Sequence, residues 1–567
     1  MFFDDLKLKI INETGARSVN FAYPPDSKFG DISLACFDLA KEQKKPPLSV
    51  ASELAGKLNS NNGIKQFFSK IEPVGPYINF FIRPEYLASQ LIEEVGRENK
   101  KYGFNISGQR KKIMIEYANG NTHKEFHIGH LRNIFFGEAV KSLLEANGYE
   151  AVPVSYINDF GINAAKTIWN WKNSVNYKNA EEDKGYLLGK CYAEASQLLI
   201  DCPEKKEEVV LIKKDIEARR GENYELWEET RQWSIDYFSS IYKEFNIEFA
   251  HTFYESEEID DGLKLTSQLL KKGILKKSEG AVVANLEEYG LGFLPIIRSD
   301  GTALYPVADL ALASKKFKLY DLNESIYIVD IRQSLYFSQL FKILELIGYQ
   351  KKMTHLTYDF VTLPDGMMSS RTGNVITYKE LKAKVLEKLL AETKQRHDDW
   401  SEEKILEIAN NLALATMKFE LLKVGADKII VFNLSEALRF DGYTACYLYY
   451  GYARLKSVIR KSGLADLQDS KVSINYDLLN DEKEKKLLLK IAKYPEILKL
   501  ALDKYNPSEV TKYLFELVQL SNDYYHDVNI LKAEGEIKKA RLVLIRAILI
   551  VLGNGFDLFK FSALEEM

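Results

Sequence analysis

The sequence is poor in cysteine, in unbroken apolar stretches and in any excess of positive charge, and each shortage removes a class of protein. Its four cysteines in 567 residues (Cys36, Cys191, Cys202 and Cys446) are scattered, with no CxxC pair and no Cys/His spacing. A disulfide framework and a structural zinc are therefore not expected. The longest apolar stretch, Leu542 to Leu552, is broken by Arg546 and is too short to span a bilayer. The opening MFFDDLKLKI carries acids where a secretory signal would carry its basic region. The expectation is a cytoplasmic protein, monomeric and without a membrane partner. The net charge of -4 gives no general attraction for nucleic acid, although local basic surface is enough to hold phosphates. Neither GxGxxG nor GxxxxGK[ST] occurs, so both usual glycine-rich phosphate cradles are missing.

What is present is an ordinary globular composition, 46% hydrophobic and 28% charged, in a chain long enough for two to four domains. The fold class expected is multidomain α/β. Residues 1 to 105 read as an α+β unit, punctuated by Pro24-Pro25, Gly30 and Pro46-Pro47, with helical Ser49 to Leu58 and a strand over Tyr77 to Ile82. A second domain, 106 to 385, opens on the apolar run Ile113-Met114-Ile115, which fits a buried strand. Leu131, Ile134, Phe135, Val140, Leu143 and Leu144 then recur at helical spacing, Asn147-Gly148 ends that helix, and Ala151 to Ile157 reads as the next strand. Strand, helix, strand is a βαβ unit and predicts a Rossmann-like parallel sheet. Residues 165 to about 255 are charge-rich and helical in pattern, as an insertion would be. Strand signals at Ala281 to Ala284, Ile326 to Val329 and Phe360 to Leu363 predict that the sheet resumes after it. Residues 386 to 567 read as an all-helical bundle, with no proline between Pro364 and Pro495.

The sharpest local feature is His127-Ile128-Gly129-His130, where a loop meets a helix just after the first strand. A helix N-terminus beside the carboxyl end of a parallel strand is where such a sheet binds a nucleotide. Two imidazoles there can donate to phosphate oxygens as charge develops, and Gly129 lets an adenine lie against bare backbone. Taken alone, two histidines three apart could equally be a metal pair or surface residues.

The whole stretch from Glu116 through Asn121, Lys124 and His127 to Arg132 resembles the first signature of class I aminoacyl-tRNA synthetases in its arginine-specific form. Their second signature is a Lys-Met-Ser-Lys-Ser loop. Here Gly366-Met367-Met368-Ser369-Ser370-Arg371-Thr372 stands in its place, with Met367 and Ser370 where lysines would be. Arginine enzymes often carry such a degenerate version, and in them a lysine before the first signature supplies the missing charge; Lys124 sits at that position. The resemblance implies ATP binding by His127, Gly129, His130, Met368, Ser369 and Ser370, with Lys124, His127, His130 and Arg371 neutralising phosphate charge. Mg²⁺ would be carried by the ATP, with no metal site of the protein's own.

Arginine presents a planar fork of donors, so a pocket for it should hold acids and amides. Tyr305 and Asp309 lie one helical turn apart and can share a face. The resemblance implies that Glu116, Asn121, Tyr305, Asp309 and Gln333 contact the amino acid. It also implies a tRNA(Arg) partner. Residues 1 to 105 would touch its elbow through Tyr77 and Asn79, two apart on one strand. The bundle would hold its anticodon through Tyr447, Tyr450, Arg454, Tyr525 and Met567. Tyr447, Tyr450 and Arg454 follow a three-then-four spacing that suits splayed bases. The implied reaction is activation of L-arginine as an adenylate, then transfer to the 2′-hydroxyl of the terminal adenosine of tRNA(Arg), with activation requiring the tRNA. A stand-alone nucleotidyltransferase, a non-catalytic tRNA-binding relative and a class I synthetase for another amino acid are the competing readings.

Overall fold

The computed structural model describes residues 2–14, 20–177, 180–364, 376–463 and 474–567. At the N-terminal end, β1 (Asn20–Ala22), β2 (Ile32–Ala35), β3 (Phe68–Val74) and β4 (Tyr77–Ile82) form an antiparallel sheet in the order β1-β2-β4-β3. Gly75, at φ +58°, takes the left-handed position that the tight β3–β4 turn requires. The helices Pro47–Ser60 and Pro84–Glu98 both begin on proline, whose fixed φ suits a first helical turn.

The central domain is built on β5 (Lys112–Glu116), β6 (Glu150–Ile157), β7 (His251–Tyr254), β8 (Lys276–Ser278), β9 (Ala281–Asn285), β10 (Phe293–Ile297), β11 (Glu324–Asp330) and β12 (Lys352–Tyr358). Five of these make a parallel sheet in the order β12-β11-β5-β6-β7. β5 is buried from Ile113 to Glu116 and β11 from Glu324 to Ile328, as central strands covered on both faces must be. The chain runs outward from β5 through β6 to β7, then returns to the other side of β5 as β11. The crevice at the carboxyl ends of β5 and β11 is the switch point where sheets of this kind hold ligands.

Three expectations about this domain need correction. The run Ala281 to Ala284 is a strand, but as β9 it joins a separate antiparallel sheet, β10-β9-β8, and not the parallel one. Phe360 to Leu363 contains β13 (Val361–Thr362), which pairs with β14 (Ile430–Val431) in a separate two-stranded sheet. The helical insertion, Ile162–Asn173, Lys184–Asp201, Lys206–Glu217 and Glu222–Glu244, ends before β7, so the stretch up to 255 includes a strand of the central sheet. An apolar run specifies a strand but not its partner, which accounts for the first two; the short, mostly polar His251–Tyr254 carries no apolar run to mark it as a strand.

The C-terminal region is helical as expected, with the long helices Glu402–Leu422, Ala445–Lys461, Ser508–Asp527 and Gly535–Leu558. Its apolar core is continuous with that of β5 and of the N-terminal sheet. Arg132, buried on the helix Ile128–Ala146, holds together two segments far apart in the chain. Its guanidinium donates to the carbonyls of Asp359, Phe360, Gly425, Ala426 and Lys428. Among the described residues no helix is long and apolar enough to cross a membrane.

Candidate active site

His127 caps the helix Ile128–Ala146, and the cap fixes the chemistry of both imidazoles. Gly129 N–H donates to Nδ1 of His127 at 3.1 Å, and His127 N–H donates to Nδ1 of His130 at 3.2 Å. A backbone N–H can only donate, so each Nδ1 is unprotonated and each ring carries its proton on Nε2. Burial, and then the Lys124 ammonium, push His127 down to about 4. Burial, the neighbouring ring and Lys124 hold His130 far below the ordinary value. At neutral pH the pair is two uncharged Nε2–H donors, with rings 3.8 Å apart. A Cβ on Gly129 would meet the His127 ring at 2.9 Å, so the glycine is needed for the cap as well as for any ligand.

Lys124 lies over the Tyr192 ring at 4.6 Å. Burial alone would raise the Tyr192 phenol, yet the Lys124 ammonium brings it below its ordinary value. Residues 365–375, with Met368, Ser369, Ser370 and Arg371, lie outside the described residues. The segment that follows them is tied to the first signature: Tyr378 N–H donates to Phe126 O at 2.7 Å, and Thr377 bridges His127.

Beside this signature, at the carboxyl ends of β5, β6 and β11, a cavity of about 480 Å³ brings together Glu116, Asn121, Tyr305, Asp309 and Gln333. These are the five residues that the family resemblance assigns to the amino acid. Its apolar wall includes Leu294, Leu340 and Phe337. A smaller cavity lined by Gly120, His130 and Tyr358 adjoins it, sharing Asn119 and Val329.

The polar wall also holds residues that sequence reasoning missed. Lys316 Nζ pairs with Glu116 Oε2, with the two side chains 1% and 4% exposed, and Asn119 donates to Glu116 Oε1 at 3.1 Å. The Tyr336 hydroxyl donates to Asp309. Burial pushes Asp309 up to about 6 against that hydrogen bond. Behind the wall, Glu255 accepts at 3.2 Å from Asn158, which does line the cavity, and burial pushes Glu255 to about 7. Helical spacing could have found Lys316: Tyr305, Asp309, Leu312 and Lys316 follow one face of the helix Tyr305–Tyr320, and all line the cavity. Tyr336 is on another helix, and no local signal points to it.

Three family matches tile the chain. Residues 7–82 match the arginyl-tRNA synthetase N-terminal domain, 92–433 the catalytic domain of class I (R) tRNA synthetases, and 448–567 the DALR anticodon-binding domain. The chain belongs to the arginyl-tRNA synthetase family. It is 33% identical to the arginine–tRNA ligase of Bdellovibrio bacteriovorus over 96% of this chain and 93% of that protein. It is 32% identical to the ligase of Halothermothrix orenii over 99% and 98%. The arginyl-tRNA synthetase of Thermus thermophilus shares the fold, with a TM-score of 0.82 at 24% identity over 100% of this chain and 99% of that one.

A cavity of about 380 Å³ is lined by Tyr450, Arg454, Tyr525 and Met567, within the match to the family's anticodon-binding domain, and by Trp400 from the preceding match. Arg454 is held in place there. It donates to Asn522 Oδ1 at 2.9 Å and to the Tyr450 hydroxyl at 2.8 Å, and its guanidinium lies over the Tyr450 and Tyr525 rings. Tyr447 is set back from this cavity and accepts from Asn522 Nδ2 at 3.0 Å. In the N-terminal synthetase domain, Tyr77 is 38% exposed and meets Phe37 edge-on. Asn79 is buried at 4% and accepts from the Ser33 hydroxyl at 2.7 Å, so the face the two residues share is open only at Tyr77.

Proposed function

We propose that the chain is an arginine–tRNA ligase: arginine attacks the α-phosphate of ATP in line, expels pyrophosphate, and is then transferred from the adenylate to the 2′-hydroxyl of the terminal adenosine of tRNA(Arg). The observation that carries this reading is the cavity that gathers Glu116, Asn121, Tyr305, Asp309 and Gln333 beside the His127–His130 cap.

Its charges match one guanidinium. Glu116 and Asp309 supply two negative charges and Lys316 removes one, so an arginine side chain restores neutrality. Asp309 is the carboxylate offered to the guanidinium, and Glu116 keeps lone pairs beyond those taken by Lys316 and Asn119. Lysine, with one ammonium in place of a planar fork, would leave buried acceptors unpaired and be rejected without editing. No protein nucleophile is needed. His127 and His130 stabilise the displaced phosphate charge through Nε2–H, Lys124 supplies the nearby positive charge, and Mg²⁺ enters with ATP. Tyr450, Arg454 and Tyr525 would stack on and bond to anticodon bases, and Tyr77 to an unpaired base of the tRNA elbow.

The test is ATP–pyrophosphate exchange with each amino acid, with and without tRNA. Arginine-dependent exchange that requires tRNA is expected. Exchange indifferent to tRNA would favour a free-standing nucleotidyltransferase, and none with arginine plus cognate tRNA would sink the assignment.

A further inference from the structure

The three residues at the centre of the first signature loop are each held from outside the sheet, by helices of the insertion. His123 is fully buried and sits at φ +64°, a left-handed backbone uncommon outside glycine. Its N–H donates to Ser234 Oγ at 3.0 Å, and its ring nitrogens lie 2.8 Å from Thr230 Oγ1 and 2.9 Å from Thr122 Oγ1. Burial drives the ring down to about 3, so it stays a neutral link between two hydroxyls. One residue beyond Lys124, Glu125 Oε1 accepts from the Tyr237 hydroxyl at 2.7 Å. Gly189 packs so closely on the Glu125 backbone that a Cβ there would stand 2.8 Å from its nitrogen. Phe126 then stacks on Phe238 at 4.4 Å.

Thr230, Ser234, Tyr237 and Phe238 all lie on the helix Glu222–Glu244, at spacings of four, three and one, so one face of a single helix grips residues 123, 125 and 126. The gripped residues flank Lys124, whose ammonium is in turn laid over Tyr192 of the helix Lys184–Asp201. A flexible lysine stem is thereby rooted in a turn whose left-handed His123 and neighbouring Glu125 are bonded to the insertion. Such support is what a group aimed at a reacting phosphate needs.

We infer that the helical insertion is a positioning device for activation: Thr230, Ser234 and Tyr237 hold the His123–Glu125 turn so that Lys124 reaches the phosphates, and they act on the rate through Lys124 and not through the arginine cavity. This deepens the ligase reading and rests on it.

The test uses the full-length enzyme with Thr230→Val, Thr230→Ser and Tyr237→Phe. Two readouts are taken: hydrogen exchange of the peptide spanning residues 118–127, and the kinetics of arginine-dependent ATP–pyrophosphate exchange. Thr230→Val and Tyr237→Phe should each speed amide exchange in the 122–125 turn and lower kcat by roughly ten- to a hundredfold, the scale of a misplacement near 1 Å. KM for arginine should stay within twofold, and Thr230→Ser, which keeps the hydroxyl, should restore most of the rate. Unchanged kcat in both disrupting variants would overturn the inference, whether or not the turn loosens. A parallel rise in KM for arginine would also overturn it, since that reports general damage. If Thr230→Val fails to fold, Tyr237→Phe alone decides by the same criteria. Absence of arginine-dependent exchange in the wild type would sink the ligase reading instead, and amide exchange would then still decide whether the insertion grips the turn.

Discussion

The carboxylate of Glu116, the last residue of β5, is paired with the ammonium of Lys316 inside the amino-acid cavity, with both side chains almost wholly buried. Burial works against the ammonium, but Glu116 and the other acids around it hold Lys316 above its ordinary value. Each charge is tolerated there because of the other. Lys316→Met should therefore cost about 3–5 kcal/mol, by stranding the Glu116 carboxylate. The double variant Lys316→Met/Glu116→Gln should recover much of that loss. Urea denaturation of the four proteins gives the cycle, and additive losses would mean that the pair is not coupled.

Asp309 in the cavity and Glu255 behind Asn158 also set a pH dependence. Asp309 at about 6 and Glu255 at about 7 have folded-state values above their ordinary ones, so both favour the unliganded fold at low pH, and that contribution is lost as pH rises through 6 to 7. A guanidinium needs Asp309 ionised. KM for arginine should therefore rise about tenfold per pH unit below 6. His127 and His130 stay neutral across this range and add no inflection. Asp309→Asn should raise KM at pH 7 and flatten the profile. A wild-type KM that is constant from pH 5 to 7 would remove Asp309 from the role.

How much of this was readable in the sequence depended on how local each signal is. The β5–helix–β6 unit was legible because apolar runs, helical spacing and Asn147-Gly148 all lie within forty or so residues. β12, Lys352–Tyr358, left no comparable trace: it is an edge strand, none of its residues is buried, and Met353 and Leu356 are separated by two polar residues, so it shows neither an apolar run nor a strict alternation. β13 was visible, but its partner Ile430–Val431 lies almost seventy residues further along the chain. Five cavity residues could be assigned because the resemblance carried them. Lys316 stayed hidden in the Lys315-Lys316 pair, which looks like an exposed charge until the helix face is drawn. His123 gave no warning either, since neither a positive φ nor a bond to a helix a hundred residues on is written in nearby sequence.

Arg132 makes a third prediction. Its guanidinium satisfies carbonyls on two separate segments, 359–360 and 425–428, and burial lowers it to about 10 despite nearby carboxylates. Arg132→Met would leave buried acceptors unpaired, so a loss of about 4 kcal/mol or more is expected. Arg132→Lys should recover little, because a point-like ammonium cannot span both segments. Thermal unfolding within a few degrees of wild type for Arg132→Met would refute this.

Asn522 links two of the proposed anticodon residues, donating to the Tyr447 hydroxyl and accepting from Arg454. Asn522→Ala should release both without removing either. KM for tRNA in aminoacylation should then rise about tenfold, the lower range for one stacked base. KM for arginine and ATP should not move. Equal KM for tRNA in the variant and the wild type would take this cluster out of tRNA recognition.

Lys124 carries the last prediction, because its charge has two separable effects. It is proposed to meet the phosphate charge, and it is one cause of the low values of His127 and His130. Lys124→Ala should lower kcat for activation by about a hundredfold, the scale of one lost electrostatic donor, with KM for arginine within threefold. It should also move the acid limb of the remaining activity upward, since the imidazoles then protonate more readily and lose the acceptor character their Nδ1 atoms need for the cap. The shift should be partial, because burial is the larger cause in both rings. A lysine that only packed against Tyr192 would change neither kcat so selectively nor the position of the acid limb. Lys124→Met, which keeps much of the stem over that ring, separates the two cases: packing predicts near-normal kcat, and charge predicts the same deficit as alanine.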